Sequence, residues 1–278
     1  MRYFDTHAHL QFPAFDAERE QVVRRILEFE VGVVNVGTQK DTSRKAVEIA
    51  KNYENMWAAV GLHPGHTYPN DFEDQNEAYE HFSELEFDES YYLKLAQEDK
   101  VVAIGECGLD YYRLPDHLDI VQVKIHQKNV LNQHIEIASK IDKPLIIHCR
   151  PSQDSQDAYL DLLEQLNGKG VKFVVHSFTG DAVTASKIID ADGYIGLNGI
   201  VTFDKTSRSK EVIDTVPLEK LLVETDCPYL TPVPFRGKKN EPKNVVEIVK
   251  FIALNSGIGV EEVRAATVEN AKKLFNLS

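Results

Sequence analysis

The stretch Tyr3-Phe4-Asp5-Thr6-His7-Ala8-His9-Leu10 is a short, mostly apolar run that ends in two histidines spaced two positions apart. On a β-strand, residues two apart point to the same face, so His7 and His9 can direct their imidazoles to one point. Neutral imidazole is the commonest protein ligand for metal ions. Histidine pairs are also common on ordinary surfaces, so the meaning of this pair depends on what the other strands carry.

Seven more apolar runs follow the first, each short and nearly continuous, which is typical of strands buried on both faces of a parallel sheet. The eight runs are 3–6, 33–36, 57–60, 101–104, 145–147, 173–175, 194–197 and 221–223. Stretches with the apolar spacing of a helix lie between or after them, at 18–30, 121–141, 158–166, 182–189, 245–254 and 260–274.

This alternation of strand and helix predicts an α/β protein, a (β/α)8 TIM barrel that spans residues 1–278 as one domain. A doubly wound open sheet is the structural alternative. That fold normally binds its ligands at a single switch point, whereas here polar residues follow most of the strands.

The polar residues at the strand ends are the main functional signal. All strands of a barrel point the same way, so their carboxyl ends meet at the face where barrel enzymes have their active sites. Six of these residues are candidate metal ligands: His7, His9, Glu106, His148, His176 and Asp226.

Six ligands are too many for one tetrahedral zinc ion and suit two divalent ions, with Glu106 as the bridge. Two such ions activate water and stabilise the oxygens of an in-line displacement. Mixed imidazole and carboxylate ligands favour zinc or manganese over magnesium, without deciding among them.

Composition excludes several other classes of protein. The net charge of −13 disfavours long-range attraction to nucleic acid, so a nucleic-acid substrate requires metal ions or a local basic patch. No run is long and apolar enough for a transmembrane helix, and no signal region opens the chain. Three scattered cysteines do not make a disulfide framework, so we expect small buried thiols and a cytoplasmic location. Separately, we expect a monomer without an obligate protein partner.

Two segments depart from the regular alternation. Residues 68–99 carry eleven acidic residues and one lysine, and we expect an enlarged, partly helical segment around Phe82, Leu85, Leu93 and Leu95. It is either a solvated face or a rim that limits access to the site.

The second departure is the loop 228–243, which is rich in proline and is the most basic part of the chain. Loops after the last barrel strands often bind phosphate. Arg236, Lys238 and Lys239 are therefore candidate phosphate ligands, with simple surface solvation as the alternative.

Taken together, these motifs resemble the TatD family of metal-dependent deoxyribonucleases over nearly the whole chain. The resemblance rests on Phe4-Asp-Thr-His7-Ala-His9-Leu, Gly61-Leu-His63-Pro64, Ala103-Ile-Gly-Glu106-Cys-Gly-Leu-Asp110, Pro144-Leu-Ile-Ile-His148-Cys-Arg150, Val175-His176-Ser-Phe-Thr-Gly180 and Leu222-Val-Glu224-Thr-Asp226-Cys-Pro228.

The resemblance implies a barrel of the metallo-dependent hydrolase type that cleaves DNA from the 3′ end, with RNA as a possible substrate. It implies the same six metal ligands, with Asp226 also as general base and Glu106 as part of the catalytic centre. It puts His63 near the substrate phosphate, where an imidazole can stabilise charge on the phosphoryl oxygens. Arg150 either does the same or holds its loop through an ion pair.

Two other functions remain open. One is hydrolysis of a small amide, lactone or phosphoester on the same barrel, since fold alone does not decide function. Related barrels often carry a modified lysine after strand four, where this chain has Glu106, which favours the nuclease. The other is a metal-bound scaffold without turnover, which the complete ligand set disfavours.

Overall fold

A computed structural model describes residues 1–69, 76–77, 84–115 and 117–277. Its single sheet has eight strands in sequence order, and every neighbouring pair is parallel. The strands are β1 Tyr3–Ala8, β2 Val31–Val36, β3 Met56–Val60, β4 Val101–Asp110, β5 Leu145–Arg150, β6 Phe173–Val175, β7 Tyr194–Leu197 and β8 Leu221–Val223. All eight predicted apolar runs lie within these strands.

The sheet closes between its first and last strands. A parallel bridge joins Ala8 to Cys227, the amide of His9 donates to the Cys227 carbonyl at 3.0 Å, and the amide of Asp226 donates to the His7 carbonyl at 2.8 Å. The chain is therefore a (β/α)8 barrel, as the sequence predicts, and the seam between β1 and β8 carries three of the candidate ligands.

The helices connect the strands on the outside of the barrel. Those in the described part of the chain are α1 Arg19–Glu28, α2 Lys40–Lys51, α3 Glu89–Ala96, α4 Ile120–Ile141, α5 Asp157–Leu166, α6 Ala182–Asp190, α7 Arg208–Thr215, α8 Val245–Ser256 and α9 Val260–Phe275. Within the ranges that the structure describes, none of them combines the length and the apolar character needed to cross a membrane.

Two of these helices, α2 and α7, were not identified from apolar spacing. Helix α2 buries mainly the small residues Ala46, Val47 and Ala50, and α7 buries only Val212 and Ile213. Both helices bury few large apolar residues, so apolar spacing does not mark them, although the barrel requires a helix at each place.

The buried apolar residues form two layers. The inward-facing layer takes residues from most strands, including Phe4, Val34 and Ile146, and α9 covers it at one end with Phe275. The outward-facing layer packs the other face of the strands against the helices. The three cysteines are buried, unpaired thiols, as expected.

The acidic segment is only partly described. Leu93 and Leu95 lie in α3 as expected, Leu85 precedes this helix and is exposed, and Phe82 lies outside the described residues. The Glu84 carboxylate accepts a hydrogen bond from the Lys40 amide at 2.6 Å, which attaches the segment to the start of α2.

A buried histidine, His134 on α4, makes the stability of the fold dependent on pH. Its Nδ1 donates to the Val130 carbonyl at 2.8 Å, and its Nε2 accepts from the Leu62 amide at 3.0 Å, so the ring is neutral. Burial lowers the pKa of His134 to about 4. The unfolded chain then binds more protons between pH 6.5 and 4, and stability falls as the pH falls through this window.

We predict that His134→Gln reduces the loss of stability between pH 7 and pH 5 by about 2 kcal/mol relative to the wild type. The measurement is urea unfolding of both proteins at both pH values. The change in the free energy of unfolding between the two pH values is then compared for the two proteins, so that the contributions of the other titrating groups cancel. An equal pH dependence of the two proteins would contradict a neutral His134.

Candidate metal centre

The carboxyl ends of the strands open into a cavity of about 540 Å³. Parallel strands place their final side chains at this one end, which is why residues far apart in sequence meet here. Five of the six predicted ligands line the cavity, namely His9, Glu106, His148, His176 and Asp226, and the sixth, His7, is fully buried beside them.

One group of ligands faces the Oε2 oxygen of Glu106. His7 Nε2 lies 3.3 Å and His9 Nε2 lies 3.9 Å from this oxygen. Asp226 Oδ1 completes the group, at 3.3 Å from His9 Nε2 and 3.8 Å from His7 Nε2. These side chains come from β1 and the end of β8, on either side of the barrel seam.

A second group faces the other oxygen of the same carboxylate. His176 Nε2 lies 2.9 Å and His148 Nδ1 lies 3.3 Å from Glu106 Oε1. The structure thus brings all six predicted residues together and places Glu106 between two sets of histidines.

The backbone of β4 positions Glu106 through two glycines. Gly105 and Gly108 have φ angles of +150° and +141°, which residues with side chains rarely adopt. A Cβ at either position would also collide with the backbone of β5, at Ile146 and His148 respectively. Close contact between these strands therefore requires glycine on both sides of the central carboxylate.

Hydrogen bonds on the far side of two rings orient their free nitrogens toward Glu106. His9 Nδ1 donates to the Val36 carbonyl at 2.7 Å, and His148 Nε2 donates to Asp110 Oδ2 at 3.1 Å. Each bond leaves the opposite ring nitrogen with its lone pair directed into the site.

Glu224 has a comparable position behind His176. Its Oε1 lies 3.4 Å from His176 Nδ1 and accepts a hydrogen bond from the Ser177 amide at 2.5 Å. The sequence motifs do not by themselves reveal a role for Asp110 or Glu224. Both residues could have been found by their closeness in sequence to candidate ligands, since Asp110 lies four residues after Glu106 and Glu224 lies two residues before Asp226.

The two central carboxylates are held in their charged forms. Burial alone would raise the pKa of Glu106, but the neighbouring imidazoles, His176 foremost, hold it well below its usual value. Burial likewise opposes ionisation of Asp226, and the neighbouring imidazoles, His9 foremost, outweigh it and lower the pKa of Asp226. Both groups are therefore anionic near neutral pH and available to a cation.

The chemistry of the donor set fits divalent metal ions. His7 Nε2 and His9 Nε2 lie 3.2 Å apart, and since His9 Nδ1 carries the proton of a neutral ring, the His9 nitrogen presents a lone pair toward its neighbour. A cation stabilises such convergence of lone pairs and carboxylates. Three groups have ligand atoms close enough to hold one ion: His7, His9 and Glu106; His7, His176 and Asp226; and His63, Glu106 and His148.

His63 differs from the other histidines in which nitrogen bears the proton. The Gly65 amide donates to His63 Nδ1 at 3.0 Å, so a neutral ring carries its proton on Nε2, which lies 3.5 Å from Glu106 Oε1. Burial lowers the pKa of His63 to about 3, which keeps the ring neutral. In this form Nε2 is a hydrogen-bond donor facing the cavity and not a metal ligand.

The predicted basic residues have different positions. Arg150 lines the cavity, and its guanidinium lies 3.9 Å from the centre of the Tyr112 ring. Arg236 lies outside the cavity lining on the exposed loop after β8, where it donates to the Thr231 carbonyl at 3.3 Å and stacks on Phe203. Lys239 pairs with Glu18 at 2.7 Å.

Comparison with known proteins identifies relatives along the whole chain. A family model described as TatD related DNase matches residues 4–276. An uncharacterized metal-dependent hydrolase of Bacillus subtilis, YabD, is 36% identical over 276 residues and covers 99% of each chain. A Mycobacterium tuberculosis metal-dependent hydrolase, TatD, is 33% identical over 98% of this chain and 97% of its own. The crystal structure of YjjV, a TatD homologue of Escherichia coli K12, matches with a TM-score of 0.80 and 26% identity, covering 100% of this chain and 99% of that one.

The seam between β1 and β8, which carries His7, His9 and Asp226, depends on the buried carboxyl group of Asp5. This group accepts hydrogen bonds from the Thr225 amide at 2.9 Å, the Thr225 hydroxyl at 2.5 Å and the His7 amide at 3.2 Å. Burial raises the pKa of Asp5 to about 8 although these donors oppose the shift. One side chain therefore ties the backbone beside Asp226 to the backbone of His7.

We predict that Asp5→Ala destabilises the protein by about 2 kcal/mol or more, because two backbone amides and a hydroxyl lose a buried acceptor. Asp5→Asn keeps an oxygen for the amides and a polar neighbour for the hydroxyl, so its cost is less than half as large. Urea unfolding at pH 7 measures both values. Equal stability of the alanine variant and the wild type would rule out this role for Asp5.

Proposed function

This chain belongs to the TatD-related DNase family, and we propose that it is a two-metal nuclease that hydrolyses phosphodiester bonds in DNA. The nuclease activity, the number of metal ions and the roles of individual residues are parts of the proposal.

The observation that carries the proposal is the position of the Glu106 carboxylate. One oxygen faces His7 and His9, and the other faces His148 and His176. A carboxylate with a separate set of imidazoles at each oxygen suits a bridge between two ions. In this proposal His7, His9 and Asp226 would hold one divalent ion, His148 and His176 would hold the other, and Glu106 would be shared between them.

Such ions, whether zinc, manganese or magnesium, would supply an activated water and neutralise charge on the phosphoryl oxygens. Asp226, charged and partly open to the cavity, orients the attacking water and accepts its proton. His63 donates its Nε2–H to a phosphoryl oxygen as negative charge develops there. These two side chains thus act on opposite partners of the displacement, the water and the phosphate.

DNA is the proposed substrate, with action from the 3′ end of single strands, and RNA is the second candidate. The family description supports a nucleic acid. A net charge of −13 disfavours binding through broad electrostatic attraction, which supports recognition at the cavity itself. Arg150 and Arg236 remain proposed substrate contacts, Arg236 only for parts of the substrate outside the cavity. The cytoplasmic location and monomeric state remain predictions.

Hydrolysis of a small amide, lactone or phosphoester is the second candidate function. The cavity volume of about 540 Å³ favours it, because pockets for small molecules have this size. The two candidates differ in substrate and share the same metal centre.

We predict that Asp226→Asn lowers the release of nucleotides from labelled single-stranded DNA at least about 100-fold, since a metal ligand and the proton acceptor are lost together. The assay follows stepwise shortening from the 3′ end by the Mn²⁺- or Mg²⁺-loaded protein, and EDTA should abolish it. Asp214→Asn, the same change on exposed α7, is the matched control and should retain full activity.

If the metal-loaded wild type leaves DNA and RNA intact, the nuclease proposal fails. Esters, lactones and amides would then test the second candidate. Equal activity of Asp226→Asn and Asp214→Asn would instead remove Asp226 from the mechanism.

We further predict that His63→Ala lowers kcat by roughly 10- to 100-fold and leaves the metal content per chain unchanged, because Nε2 acts as a donor to the substrate and not as a ligand. Elemental analysis of the purified variant and a kinetic assay measure the two quantities. Loss of one metal ion per chain in this variant would show that His63 is a ligand.

A further inference from the structure

A second arginine, Arg113, lines the cavity together with Arg150. Arg150 is the last residue of β5, and Arg113 follows the end of β4 by three residues. Asp110 pairs in register with Arg150, and the Tyr111 amide donates to the Arg150 carbonyl at 2.8 Å. Both arginines therefore leave the barrel on the same side of the cavity.

The turn that carries Arg113 is attached to the metal centre. Asp110 Oδ1 accepts hydrogen bonds from the amides of Tyr112 and Arg113, at 2.9 Å and 3.2 Å. The other oxygen of the same carboxylate holds His148 at 3.1 Å. One buried carboxylate thus sets the position of the arginine turn relative to a proposed metal ligand.

The charge of Arg150 is not balanced by a carboxylate. Within the described ranges of the chain, no acidic oxygen lies within ion-pair distance of its guanidinium, which stacks on the Tyr112 ring instead. Such stacking orients the plane of the guanidinium and leaves its N–H groups available to a ligand. A guanidinium without a carboxylate partner at the wall of the cavity suits an anionic ligand.

We propose that Arg113 and Arg150 form a second phosphate subsite, which binds the phosphate next to the one that is cleaved. The inference rests on the proposed function, in which the metal centre takes the scissile phosphate. Guanidinium groups bind phosphate through paired, charge-assisted hydrogen bonds. The preferred substrate is then a nucleotide chain with at least two consecutive phosphates, and an isolated phosphodiester is a poorer one.

Two dinucleotides and a simple diester test this subsite. The dinucleotides are dTpdT with and without a 5′-phosphate, and bis(4-nitrophenyl) phosphate offers only a scissile phosphate. For the wild type we expect the 5′-phosphate to lower KM at least about tenfold. Arg113→Gln and Arg150→Gln should each abolish most of this preference, and their kcat/KM should fall at least about tenfold more for the 5′-phosphorylated dinucleotide than for bis(4-nitrophenyl) phosphate.

Arg24→Gln, the same change at an exposed position of α1, is the matched control and should keep the full preference. The subsite is refuted if the wild type shows no preference for the 5′-phosphate, or if the two cavity variants lose activity equally on all three substrates. If the metal-loaded wild type cleaves none of the three, the proposed function itself fails, and the subsite falls with it.

Discussion

The rest of the site depends on one buried carboxylate, Glu106, and on the imidazoles around it. Five histidine nitrogens lie between 2.9 and 3.9 Å from its oxygens. A charged carboxylate at this depth is costly unless it is paired, and here the histidines hold its pKa well below the usual value despite burial. Carboxylate oxygens and imidazole nitrogens thus converge on one place, which is the arrangement that a pair of divalent cations needs.

The barrel brings the candidate ligands together, and a layer of buried carboxyl groups fixes their orientation. Asp110 orients His148, Glu224 faces His176, and Asp5 ties the two strands of the seam together. Outer partners of this kind determine which ring nitrogen of a histidine is free and how far a ligand can move. Asp110 has a second role, since it also holds the turn that carries Arg113. The metal centre and the proposed substrate contacts thus share one support.

Much of the architecture followed from the sequence because each buried strand is a compact apolar run and the polar residues come directly after it. His148 and Glu106 were recognisable as candidate ligands for this reason. Helix α2 was not identified from the sequence, because it buries mainly small and polar residues such as Ala46 and Ser43. The role of Asp5 depends on a contact with Thr225, 220 residues away, and sequence spacing does not encode such contacts. Arg236 was chosen for its basic loop, but the position of a loop residue relative to the cavity depends on the local path of the chain.

The most direct test of the account is anomalous diffraction from crystals of the protein soaked in Mn²⁺. The account predicts two peaks at the carboxyl end of the barrel, one beside His7, His9 and Asp226 and the other beside His148 and His176, with Glu106 in contact with both. A single peak, or two peaks that do not share Glu106, would contradict the assignment of this carboxylate as the bridge on which the proposed nuclease mechanism rests.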